Sequence, residues 1–212
     1  MNGLVNVLSR RAWLAGTSSL LMVGACRALS ANARADLYDC EGCEAATERA
    51  PGNLTWDVDI ARGTLGEPLI LDGTIVQPDG RTRASGVVIY MHQTNAQGLY
   101  ANGSPETVWS RRHGRLRGWA LTDAKGRYRF ATIKPAPYPD MTLPAHIHLY
   151  ISEPGRRPYY VDDVVFDGEH KVDAAYRARQ QLRGGSGIVR LARSDDGKSL
   201  RATRNITLER HP

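Results

Sequence analysis

Alternation of apolar and polar positions dominates the chain from residue 68 onward. Residues 70–76 (ILDGTIV) alternate as a strand does, with Pro78-Asp79-Gly80 as the turn that ends it. Residues 85–93 form a second apolar-rich strand. Residues 97–117 are polar and rich in Gly and Arg, so they are expected to be a long functional loop. The stretch 119–122, the turn Asp123-Ala124-Lys125-Gly126 and the stretch 127–133 predict a β-hairpin, with Tyr128 and Phe130 on its buried face. Further strands are expected at 146–152 and 159–166, and a final hairpin over 188–208 around Asp195-Asp196-Gly197. The one stretch with helical spacing is 169–182, where Val172, Ala175, Tyr176 and Ala178 cluster. Short strands at regular spacing with turn signals predict an all-β fold, a β-sandwich with one short helix near 169–182.

Composition agrees: hydrophobic residues make up 42% of the 212, with 21 Gly and 11 Pro. That is enough apolar material for one packed domain of many turns. The formal net charge is +6, but Arg10, Arg11, Arg27 and Arg34 supply four of those charges within the first 35 residues, which hold no acid. No block of Lys and Arg interleaved with aromatics follows, so nucleic acid is not an expected partner.

Residues 1–35 read as an export signal. Arg10 and Arg11 precede an apolar run from Leu14 to Ala25 that is too short to span a bilayer, which takes about 20 residues. The arginine pair suits a twin-arginine signal, and the stretch also satisfies the ordinary secretory pattern. Ala31-Asn32-Ala33 and Ala33-Arg34-Ala35 both offer cleavage sites. Val23-Gly24-Ala25-Cys26 resembles a lipobox, which would lipidate Cys26; otherwise Cys26 leaves with the signal. The expected location is therefore periplasmic or extracellular, with membrane attachment only through Cys26. Residues 36–65 form an N-terminal arm, and its Cys40 and Cys43 are expected to close a local disulfide after export. The β-sandwich is expected over 66–212.

Candidate chemistry sits in two places. His146 and His148 are two apart on an expected strand, so both imidazoles face one side with Cα atoms about 7 Å apart. One metal ion is within reach of both, while Ile147 points the other way. HxH alone also fits two polar residues on an exposed face. Ahead of it, Tyr138 is held between Pro137 and Pro139, which fix the backbone and preorganise the phenol.

The segment TDAKGRYRFATIKPAPYPD followed by LPAHIH resembles the intradiol ring-cleavage dioxygenases, the catechol and protocatechuate class. Gln93-Thr94-Asn95-Ala96-Gln97-Gly98-Leu99-Tyr100 matches that family's QxNxxGxY motif. The resemblance covers about residues 66–170 and implies a mononuclear non-haem Fe(III) held by Tyr100, Tyr138, His146 and His148. It implies Tyr100 and Tyr138 as catalytic residues, with Tyr138 the ligand that yields to substrate. It implies insertion of O2 into a small aromatic diol between the hydroxyl-bearing carbons, giving a cis,cis-muconate type product. Family members are often homo-oligomers. The donor set suits the ion, since two phenolates and a hydroxide offset a hard 3+ charge. Zinc prefers His, Cys or carboxylate, and ferrous oxygenases two His and one carboxylate.

Three positions depart from the family pattern. Leu143 stands where an Arg precedes PAHIH, Asp140 where an aromatic is expected, and Asp163 aligns with a Gln. Replacement cations for a substrate shell are sought in the long loop, among Arg111, Arg112, Arg115 and Arg117. His92 reads as a strand-face residue and His113 as a loop residue. The contrasting expectation is a non-catalytic or altered-activity module that binds iron or a ligand on the retained scaffold, and Leu143 is the feature that favours it.

Overall fold

The computed structural model describes residues 36–103 and 105–212. The export signal and Cys26 lie outside the described residues. Among the described residues, eleven strands are arranged in two sheets. The first contains β1 (Asp57–Asp59), β5 (Arg127–Ile133), β2 (Pro68–Val76), β10 (Leu200–Thr203) and β9 (Ala192–Arg193) in that order, with β11 (Ile206–Thr207) also on β2. The second contains β4 (Arg117–Leu121), β3 (Val88–Gln93), β6 (His146–Ser152), β7 (Tyr159–Phe166) and β8 (Ile188–Val189). Alternate residues of both sheets meet in one core: Leu69, Leu71 and Ile75 from β2, Phe130 from β5, Ile89 and Met91 from β3, and Ile147, Leu149 and Ile151 from β6. The expected β-sandwich is the observed architecture.

Four local expectations are corrected. Residues 119–133 are not a hairpin, because β4 pairs with β3 while β5 pairs with β2 and β1. The turn between them is a crossover from one sheet to the other. Thr122 fixes it: its hydroxyl donates to Ala84 O and accepts from Val87 N, both in the segment leading into β3. The loop 97–117 contains a helix, α1 (Val108–His113), closed by a reciprocal capping box between Thr107 and Ser110. The helix near 169–182 is shorter than its pattern. It is α2 (Ala174–Arg179), begun by the Asp173 cap and bracketed by Lys171 and Leu182 in left-handed conformation. In the C-terminal part, β9 and β10 form the expected hairpin, whereas β8 joins β7 in the other sheet.

The outer face of the second sheet is covered in part by the N-terminal arm. A 3-10 turn (Cys43–Thr47) lays Cys43, Ala45 and Ala46 against Val88, Tyr90, Trp119 and Tyr150. The Trp119 indole N–H donates to Ala45 O at 2.8 Å, which pins the arm. Cys40 and Cys43 are joined in a disulfide.

Candidate metal centre

The site is built on the outer faces of β3 and β6, which pair antiparallel with His92 opposite His148. Along β6 the alternation sends Ile147, Leu149 and Ile151 into the core and leaves His146, His148 and Tyr150 on the other face. A β-bulge in β7 sets Asp162 and Asp163 opposite the single residue His148.

Two loops bring the tyrosines. Asn95 accepts the backbone N–H groups of Gln97 and Leu99 and shapes the turn that carries Tyr100. That turn is laced to the proline-rich loop of Tyr138: Thr94 Oγ1 donates to Ala136 O at 2.7 Å, and Ala136 N donates to Asn95 O at 3.1 Å. Gly98 makes the closest approach. Its φ is +75°, and a Cβ there would lie 2.0 Å from Pro137 O, so no side chain fits.

The four expected side chains converge. Tyr100 Oη is 3.0 Å from Tyr138 Oη and 3.1 Å from His148 Nε2, and His146 Nε2 is 3.1 Å from His148 Nε2. Ligands about 2.1 Å from a common ion, at right angles to one another, stand about 3 Å apart.

Hydrogen-bond partners assign the imidazole tautomers. His146 Nδ1 donates to Pro144 O at 2.8 Å, and His148 Nδ1 donates to Asp163 Oδ1 at 2.9 Å. With those tautomers in the neutral rings, both Nε2 lone pairs face the site 3.1 Å apart, with Tyr100 Oη 3.1 Å from His148 Nε2, an arrangement that one shared cation would satisfy. His146, His148 and Asp163 could by themselves form a two-histidine, one-carboxylate cluster, since their donor atoms lie within 4.8 Å. The Asp163 oxygen, however, is spent on the far nitrogen of His148, on the opposite side of the ring from Nε2. It orients that ring and makes it a better donor.

Electrostatics follow burial. Burial, reinforced by the hydrogen bond with Tyr138, raises the Tyr100 phenol above its ordinary pKa, so without a cation it stays protonated. A bound cation inverts that preference. Burial, with His148 adding to it, lowers His146. Burial also works against charge on His148, but the Asp163 carboxylate outweighs it and the net shift is upward. Asp163 is shifted reciprocally downward, because His148 outweighs its burial.

A cleft of about 490 Å³ opens beside His148, lined by Leu143, Tyr150, Tyr160, Asp163, Tyr176 and Arg179 among others. Two of the expected substrate-shell residues, Leu143 and Asp163, are therefore at the cleft. Arg115 and Arg117 are not. They line a separate cavity with Glu48 and Trp119, where Arg117 is held by Glu48 and Thr107 and Arg115 by Thr64. Arg111 and Arg112 pair with Glu106 and Glu41. The cation that does line the cleft is Arg179 on α2, which sequence reasoning missed by treating that helix as scaffold. Tyr150 was also missed, although HxHxY puts it on the same strand face. His113 belongs to α1 rather than a loop, and it is stacked on His92 behind the site.

A family model described as "Dioxygenase" matches residues 46–209, most of the chain. The chain belongs to the intradiol dioxygenase family. It is 28% identical over 201 residues to catechol 1,2-dioxygenase 1 of Acinetobacter lwoffii, a match covering 79% of this chain and 62% of that protein. It thus spans less than two thirds of that relative's length. The catechol 1,2-dioxygenase structure from Pseudomonas arvilla C-1 aligns at a TM-score of 0.54 and 25% identity, covering 73% of this chain and 56% of that one. An intradiol ring-cleavage dioxygenase from Tetranychus urticae shares the fold at a TM-score of 0.54 and 18% identity, covering 76% of this chain and 91% of that one. The intradiol match begins after the disulfide, so Cys40 and Cys43 lie outside the matched region.

Proposed function

We propose that this chain is an Fe(III)-dependent intradiol dioxygenase that opens a catechol-type ring between its two hydroxyl-bearing carbons with O2, giving a cis,cis-muconate type diacid. The observation that carries this reading is the meeting of two phenol oxygens and two imidazole nitrogens: Tyr100 Oη is 3.0 Å from Tyr138 Oη and 3.1 Å from His148 Nε2, which is 3.1 Å from His146 Nε2. Tyr100, Tyr138, His146 and His148 would hold the ion. Two anionic oxygens and two neutral nitrogens suit a hard trivalent cation better than zinc, which favours thiolate, imidazole or carboxylate. When bound, the ferric ion would acidify a coordinated diol and make its ring electron-rich enough to react with O2.

The protein's own groups do the rest. Tyr138 sits within the loop between β5 and β6, and as phenolate its Oη is a base that can take a hydroxyl proton from the diol. Tyr100 is tied to it by hydrogen bond and to His148. Asp163 holds the His148 ring so that Nε2 faces the site. Tyr150, Tyr160, Tyr176 and Leu143 give the cleft an aromatic and apolar wall for a flat ring.

Leu143, 47% exposed at the cleft where the family carries a cation, favours a second reading: an iron-binding module of altered or absent activity. The two readings separate in one experiment. Protein from iron-replete cells is assayed for bound iron, for visible tyrosinate-to-Fe(III) absorption, and for oxygen uptake with catechols. The enzyme reading expects about one iron per chain, a burgundy colour and oxygen consumed. Iron with no uptake on any catechol selects the module, and a colourless, iron-free protein overturns both. His148→Ala is expected to lose the metal, and Tyr138→Phe to shift the band and slow turnover. We further propose export to the periplasm or outside the cell, which the Cys40–Cys43 disulfide supports because such bonds persist in oxidising compartments.

A further inference from the structure

Between the disulfide and the metal centre runs a column of flat rings. The disulfide closes a turn, Cys40-Glu41-Gly42-Cys43, in which Cys43 is buried and Gly42 has φ +86°. Gly42 abuts His113: a Cβ on it would lie 3.1 Å from both Cε1 and Nε2 of that ring and 3.6 Å from Tyr150 Oη. His113 is stacked on His92 at 3.9 Å between centroids with 3° between planes, and His92 lies 4.4 Å from His148. Hydrogen bonds pin the column from the side, through Tyr90 Oη to His113 Nδ1 at 2.8 Å and Tyr150 Oη to His92 Nε2 at 3.3 Å. His92 and His113 are both buried, and neither is among the four residues assigned to the metal.

We propose that the disulfide-closed turn positions the metal centre: Gly42 fixes His113, His113 fixes His92, and His92 fixes the plane and depth of His148. This rests on the assignment of His148 as a metal ligand. Packed rings cannot be compressed, so a displacement at one end of the column must be passed along it. Metal sites tolerate little of this, because ligands need placement to about 0.5 Å. His92 and His113 are thus positioning residues, and the Cys40–Cys43 turn is an addition to the matched family region that buttresses the site.

The test compares four variants of the full chain for the rate of iron loss to a chelator and for the position of the visible band. Gly42→Ala and His113→Ala are expected to lose iron about tenfold faster than the parent, in line with other supports of metal ligands, and to move the band. His113→Phe keeps a flat ring in the stack and is expected to retain iron far better than His113→Ala. Gly52→Ala, in the same arm but with nothing within 4 Å of the added methyl, is expected to match the parent. If Gly42→Ala does not fold, as judged by circular dichroism, the pair His113→Ala and His113→Phe decides. An iron-loaded parent whose His113 variants lose iron at the parental rate with an unmoved band overturns this inference alone. A parent that takes up no iron overturns it together with the proposed function.

Discussion

The two faces of β3 and β6 carry the same backbone and opposite physics. The inner face, with Ile89, Met91, Ile147, Leu149 and Ile151 at 0% exposure, is hydrocarbon held by shape. The outer face buries Tyr90, His92 and Tyr150, opens at His148 to the cleft, and is held by stacking and hydrogen bonds. Polar groups out of water must pair or cost free energy. Here the account is nearly closed, His92 Nδ1 being one of the buried atoms with no partner. One strand can therefore anchor a core and present a reactive surface because successive side chains never share a face. Stability and chemistry should accordingly be separable by choosing adjacent residues.

The largest effect should come from the inner face. Leu149→Ala removes a fully buried side chain and leaves a cavity, and such changes cost about 2–5 kcal/mol. Denaturant unfolding of the iron-free protein should show that loss, while the iron content of the fraction that remains folded stays at the parental level. A folded Leu149→Ala protein stripped of iron would show that the two faces are coupled.

A smaller effect should come from acid and should arise on the outer face. Burial, with the charge of His148 adding to it, pushes His113 down to about 4, and burial lowers His92 well below the ordinary histidine value. Both fold as neutral rings, so the unfolded chain binds more protons as pH falls below about 6.5. Their contribution is complete above that pH and is lost as pH falls towards 4. For His113 a shift of this size corresponds to at most ~3 kcal/mol. His148, shifted the other way by Asp163, opposes the trend. The measurement is thus a difference: thermal melting of the iron-free parent against His113→Phe from pH 7 to 4, with the variant expected to show the shallower decline. Parallel curves would mean that His113 is not held neutral by the fold.

The same division explains what could be read from the chain. The strands at 68–76, 88–93, 146–152 and 159–166 were legible because alternation reports burial directly. The side chains that meet at the site were legible because HxH, PxPYP and QxNxxGxY each fix a local geometry. Pairing was not legible. The alternation of β5 is the same whether its buried face belongs to one sheet or the other, and the side-chain bonds of Thr122 decide the crossover. The reach of long cations was equally hidden. Arg115 and Arg117 are adjacent to the site in the chain, but Thr64, Glu48 and Thr107 draw them to another cavity, while Arg179 arrives at the cleft from a distant helix. The role of the arm was also out of sight. The CxxC spacing announces a disulfide, and nothing in it reports that Gly42 meets His113.

The finest division lies within the outer face, between groups that bind and groups that aim. Asp163 bonds His148 at Nδ1, leaving Nε2 for the site, so it should tune the ligand without contributing a bond to the ion. Asp163→Asn keeps an acceptor oxygen and the shape but removes the charge that raises His148. Loss of such a partner weakens metal binding by about tenfold to a hundredfold, equivalent to ~1.4–2.7 kcal/mol. The expected result is a protein that still loads iron and still absorbs in the visible, with faster loss to a chelator. Were Asp163 instead a direct ligand of a two-histidine, one-carboxylate centre, the same substitution would abolish binding, and Tyr100→Phe would leave the iron in place. Measuring the two variants side by side decides which atoms hold the ion, because only the four-residue assignment expects the phenol to matter more than the carboxylate.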